Sequence, residues 1–200
     1  MRPENAKESV LGFSTFVRRF VSTACTRSTY NGGAAALRDL IVAVVAQEAP
    51  VHEEIVVVRI ARAHGLQRAG HIVETTILRA VTAAARAGAI TRRESFLWPT
   101  DAQAITPRRP APGQTLRAIE HVPPEEIAEA AILVIRSSRG INDADLKRET
   151  ARVFGYQRTG GEIEQMVTPV INDLVSDGRI VIRAGFLVIP SDGPSSADSR

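Results

Sequence analysis

Apolar residues return with helical spacing in two blocks of this chain, and the two blocks run in phase. In the first, Leu37, Ile41, Val44 and Val45 predict the inward stripe of a helix over Ala35 to Glu48. Ninety positions later Ile127, Ala131, Val134 and Ile135 fall in the same phase. A third helix in each block is predicted from about His71 to Ala87 and from about Gly161 to Asp177, each closed by a glycine, Gly88 and Gly178. Val73, Ile77, Ala80, Val81 and Ala84 point inward in the first, and Ile163, Val167, Val170, Ile171 and Leu174 in the second.

Between these helices lies an ambiguous stretch. Ile55 to Ile60, IVVVRI, reads as a strand by itself because it is rich in β-branched residues. Its counterpart, NDADLKRETARVFG, is plainly helical, with Asn142 or Asp143 as N-cap. The counterpart decides, and both stretches are expected to be helices, with Val56, Ile60 and Ala63 facing inward like Leu146, Thr150 and Val153. After the third helix, AITRRESFLWP and RIVIRAGFLVIP each read as two short strands around a tight turn.

The phase relation extends without a gap from Leu37 to Leu97 against Ile127 to Leu187. Its identities concentrate where a fold needs them: GLQRAG (Gly65 to Gly70) against GYQRTG (Gly155 to Gly160), Gly88 against Gly178, Arg93 against Arg183, and Phe96-Leu97 against Phe186-Leu187. The expected fold is therefore mainly α with small β-hairpins: tandem winged helix-turn-helix domains produced by internal duplication. The boundaries are an N-terminal extension over 1–35, with Val10, Phe13, Val17 and Phe20 at helical spacing; a first repeat over 36–99; and a proline-rich linker over 100–124. A second repeat over 125–190 and a disordered tail over 191–200 complete the chain. In the repeated hexapeptide, Gly70 and Gly160 are expected to permit a tight approach to the third helix, and Gln67 and Gln157 to tie the turn to backbone groups.

Composition narrows the function. The chain is 44% hydrophobic and 24% charged, with no apolar run long enough to span a bilayer. Its net charge of +3 gathers in the first half. Only Lys7 and Lys147 among the 25 basic residues are lysines. Cys25 stands alone, which excludes an internal disulfide and fits a cytoplasmic protein. His52, His64, His71 and His121 lack metal-ligand spacing in sequence, and no phosphate-cradling or nucleophile motif is present. Glu53-Glu54 and Glu125-Glu126 read as acids meeting helix dipoles. No catalytic residue, metal site or cofactor is predicted, and the chain reads as a non-enzyme.

The candidate chemistry is nucleic-acid binding by the first repeat. The outward face of its third helix carries His71, Thr75, Arg79, Thr82 and Arg86, with Arg68 just before it and Arg92-Arg93 on the hairpin, and Glu74 and Glu94 lie among them. The second repeat shows Glu164, Gln165, Thr168, Asn172 and Asp173 there, and Pro169 is expected to kink or break the helix. The alternative is a protein-interaction scaffold. Ile55, Val57 and Val58 replace Asp145, Lys147 and Arg148, an apolar excess that suggests an interface.

The run PVHEEIVVVRIARAHGLQRAG, the FLWP ending and the later VPPEEIAEA resemble the family known as domain of unknown function 3320. The resemblance covers about residues 36 to 190. It implies a module found near the C-terminus of large bacterial proteins that join a superfamily 1 helicase to a Vsr-like endonuclease, some of them associated with phage defence. It supplies no catalytic residue, and helicase and nuclease activities do not carry over. The chain lacks those parts, which implies a stand-alone relative, a separated subunit or a truncated gene. The partners implied are DNA or RNA, bound weakly and with little sequence preference, and a helicase or nuclease subunit; no membrane is implied.

Overall fold

A computed structural model describes residues 33–101, 105–138 and 140–190. The expected N-terminal helix, Cys25 and the 191–200 tail lie outside these residues. The chain divides into two compact units, residues 1–103 and 104–200.

The first unit is built from α1 (Ala34–Glu48), β1 (Val51–His52), α2 (Glu53–Ala63), α3 (His71–Arg86), β2 (Thr91–Arg93) and β3 (Phe96–Trp98). The second follows with a 3-10 turn (Ile119–His121), α4 (Pro124–Ser137), α5 (Asp143–Val153), α6 (Gly161–Ser176), β4 (Val181–Arg183) and β5 (Phe186–Val188). In each unit the three helices pack on one another and the hairpin lies against the first of them. The second and third helices and both hairpin strands recur at the same offset of ninety residues. The described chain is thus mainly helical, with small antiparallel strand pairs.

Ile55 to Ile60 lies inside α2, as its counterpart implied. The β-branched residues are spent on packing: Val56, Val57 and Ile60 are buried, and Ile55 packs against the same core as Ile41, Val45, Ile77, Val81 and Leu97. The second core centres on Ile127, Ala131, Leu146, Val167, Ile171 and Ile180. Asn142 caps α5, its Oδ1 accepting from the Asp145 amide at 2.9 Å. His52 takes that role for α2, its Nδ1 accepting from the Glu54 amide at 3.3 Å.

The hairpins share a register. Arg93 opposes Phe96 and Arg183 opposes Phe186, leaving two-residue turns. In the second, Ala184 and Gly185 both have positive φ, 51° and 83°, the pattern of a turn whose twist suits the flanking strands. In the first unit β1 pairs with β3 as a third strand, Val51 opposite Leu97. The second unit keeps a single bridge there, Ile141 to Leu187.

The repeated hexapeptide follows the second helix of each unit, and its structural demand sits on its first glycine. Gly65 and Gly155 have φ of +76° and +91°, and their amides close the helix end on Arg62 and Arg152 carbonyls at 3.0 Å. Gly70 and Gly160 do not carry the expected constraint. Their φ values, −74° and −77°, are open to any residue, and a Cβ would meet nothing within 4 Å at either position. The expected glutamine tie is present in the second unit, where Gln157 Nε2 donates to the Gly155 carbonyl at 3.5 Å. Pro169 does not break its helix. It lies on the exposed side of α6, which runs on to Ser176, so the Gln165 carbonyl that loses an amide partner faces water.

The proline-rich segment folds onto the second unit through Glu126, which is fully buried and serves an ion-pair cluster rather than a helix dipole. Arg117 donates through Nη2 to Oε1 at 2.6 Å and through Nη1 to Oε2 at 3.1 Å. Arg108 donates through its backbone amide to Oε1 and through Nη2 to Oε2, both at 2.8 Å. Burial pushes the Glu126 carboxyl up, and the hydrogen bonds from Arg117 and Arg108 outweigh it, holding its pKa below the ordinary glutamate value. Tyr156 adds a further tie, its hydroxyl donating to the Arg117 carbonyl at 2.8 Å.

This packing makes two positions testable. A Cβ at Gly155 would lie 2.7 Å from Leu116 Cδ2 and 2.8 Å from Pro110 Cγ, whereas one at Gly65 meets open space. Gly65→Ala should therefore cost only backbone strain, about 1 kcal/mol, and Gly155→Ala about 2 kcal/mol more from overpacking; urea melts of the two variants compare them directly. A carboxylate whose folded pKa is lowered contributes stability above its unfolded pKa, near 4.3, and loses it as pH falls through the folded value. Hydrogen exchange of α4–α6 amides should then show wild-type protection declining below about pH 4. Glu126→Gln should start lower at pH 7 by about 3 kcal/mol and show a weaker acid dependence.

Candidate nucleic-acid interface

Each expected contact residue of the first unit sits on or beside α3 or on the hairpin that follows it. The apolar stripe of α3 faces the core, which leaves the opposite side outward: His71, Arg79 and Arg86 are exposed, and Thr75 and Thr82 are half-buried. Thr75, Arg79, Thr82 and Arg86 line one shallow groove along the helix, together with Leu78 and Ala83. Arg68 is exposed in the turn before α3. Among the described residues Arg68, Arg79 and Arg86 form no ion pair. Thr82 gives its hydroxyl to the Leu78 carbonyl at 3.0 Å, so its side chain serves the helix.

The hairpin arginines are engaged differently. Arg92 Nη2 lies 2.6 Å from Glu53 Oε2, and its Nε donates to the Glu94 carbonyl at 3.0 Å. The Glu53 contact is a close ion pair without the alignment of a hydrogen bond. The Arg93 guanidinium stacks 4.6 Å above the Trp98 ring. Arg92 therefore fastens the hairpin to the start of α2.

The same surface of the second unit is different in kind. Glu162, Glu164, Gln165, Asn172 and Asp173 are exposed on α6, and no basic residue lies in that helix. Its hairpin carries Ile182, 63% exposed, where the first unit has Arg92. Phe186 is 49% exposed, whereas its counterpart Phe96 is 6% exposed and packs edge-on against His52 at 5.2 Å. Ile182, Val175, Ile171 and Leu187 line a groove of about 390 Å³ between hairpin and helix, edged by Asp143 and Asn172. Comparing the repeats at position 182 would have shown the exchange of Arg92 for Ile182, whereas the exposure of Phe186 is hidden by its identity with Phe96.

The expected interface residues Ile55, Val57 and Val58 divide. Val57 belongs to the core of its own unit, Ile55 packs against that core, and Val58 is half-buried. Much of the apolar excess of α2 thus stabilises the unit that carries it. Val57→Lys should cost about 3 kcal/mol or more, since it buries an unpaired charge, and Val58→Arg less than about 1 kcal/mol; thermal melts of the single variants check this.

No curated protein and no solved structure matches this chain. Over residues 29–75, which contain α1, α2 and the first residues of α3, the chain matches the family described as Protein of unknown function (DUF3320), the family its sequence resembles.

Proposed function

We propose that the chain is a non-catalytic nucleic-acid-binding module of two winged-helix units that arose by duplication, with the first unit making the contact. The observation that carries this reading is the asymmetry of the two outward helix faces. His71, Arg79 and Arg86 are exposed on α3, where Glu74 is the one acid, whereas α6 carries Glu162, Glu164 and Asp173 and no basic residue. Two units under the same folding constraints need not differ this way. Phosphate is attracted to the first face and repelled by the second.

Arginines on phosphate fix position and carry little base information, so the binding is weak and largely independent of sequence. The accessory role, beside a helicase or nuclease of a cytoplasmic repair or phage-defence system, rests on the family resemblance alone. A second reading, a protein-interaction scaffold, is favoured by Ile182 and Phe186 on the second hairpin. It assigns the second unit to a protein partner.

Fluorescence anisotropy with labelled duplex DNA across a salt series tests the proposal. Arg79→Ala and Arg86→Ala should each weaken binding and lower the salt slope by about 0.9 for each phosphate left without its arginine. Arg183→Ala should change neither. Absence of binding at low salt, or equal weakening by substitutions in both units, would leave the scaffold reading in its place.

A further inference from the structure

One residue on the α3 face breaks the helix's own pattern. Val73, Ile77, Val81 and Ala84 hold the inward side, yet Ile72, one position out of phase, is 81% exposed. Leu66, Leu116, Leu133, Phe186 and Ile182 range only from 37% to 63%. An isolated exposed apolar side chain is ordinary in itself. What distinguishes Ile72 is its setting. It occupies the second position of α3, next to His71 and seven residues before Arg79, and its counterpart on the acidic face of the second unit is Glu162.

We propose that Ile72 contacts the thymine 5-methyl group in the major groove, which makes thymine-bearing duplex DNA, rather than RNA, the ligand of the α3 face. This deepens the nucleic-acid reading and rests on it. When a helix of this kind enters the major groove, its N-terminal residues meet base edges while basic side chains meet phosphate. An aliphatic side chain has one apolar group to meet there, the methyl of thymine. Uracil lacks it, and the A-form major groove is too deep and narrow for a side chain to read. Being β-branched, Ile72 is already restricted in its rotamers and loses little freedom on contact. The nearby Thr76 hydroxyl donates to the Ile72 carbonyl at 2.7 Å, so its donor is used within the helix.

Removing only the methyl group tests this. Anisotropy titrations of the full chain would compare alternating d(AT), d(AU) and r(AU) duplexes of equal length at low salt. The wild type should bind d(AT) about fourfold more tightly than d(AU), the increment expected for burying one methyl group, and r(AU) more weakly than either. Ile72→Ala, at a position too exposed to alter the melting temperature, should bind d(AT) and d(AU) equally. Arg79→Ala should weaken both and keep their ratio. Equal wild-type binding to d(AT) and d(AU), a ratio that survives Ile72→Ala, or tighter binding of r(AU) overturns the thymine contact and leaves nucleic-acid binding standing. No binding to any duplex overturns both.

Discussion

The left-handed residue that ends the second helix of each unit is the constraint on which the rest of the fold depends. Gly65 and Gly155 turn the chain at φ of +76° and +91°, where an L side chain is strained. That turn places α3 and α6 so that their apolar stripes reach the core. The outward faces are then fixed as a consequence, and their residues are held by no demand of the core. Arg79 and Pro169 can therefore occupy equivalent positions in the two units while both helices run their full length.

Freed in this way, the two surfaces differ through a few linked exchanges. In the first unit Arg92 pairs with Glu53, β1 lies along β3, and Phe96 is covered. In the second, Ile182 stands in place of the arginine, Asp143 pairs instead with Lys147 at 2.7 Å, and Phe186 is left half exposed. Without the hairpin arginine, the exposed helix-initial acid takes its partner from its own helix. Lys147, where the first unit has Val57, supplies it. The valine is core in one unit and the lysine serves an acid at the helix start in the other, which is why the comparison of sequences made Val57 resemble an interface residue.

The parts of the fold legible in the sequence were those that periodicity and the internal repeat report together. The helical state of Ile55 to Ile60 is the clearest case, since β-branched composition alone favoured a strand and tertiary burial overrode it. The Glu126 cluster was not legible. Arg108 and Arg117 lie 18 and 9 residues before it in an irregular segment, and no spacing rule joins such residues. Nor could sequence separate the two glycines of the hexapeptide, because a glycine at an ordinary φ and one at a left-handed φ are written alike. Of the candidate site, the α3 residues follow from helical period, whereas the engagement of Arg92 with Glu53 depends on how the hairpin meets α2.

Arg92 also shows why an arginine count overstates a nucleic-acid surface. A guanidinium already held at 2.6 Å from a carboxylate has part of its charge offset, and that carboxylate repels any phosphate its remaining N–H groups would meet. On the proposed nucleic-acid reading, the attraction would come mainly from α3 and the turn before it, where Arg68, Arg79 and Arg86 are exposed. Arg79 and Arg86 lie on one side of α3 and Arg68 just before its first turn, an arrangement that the proposed docking of this helix in a groove would use. The hairpin then acts chiefly by holding its first unit together, with Arg93 stacked on Trp98 and Arg92 tied to α2.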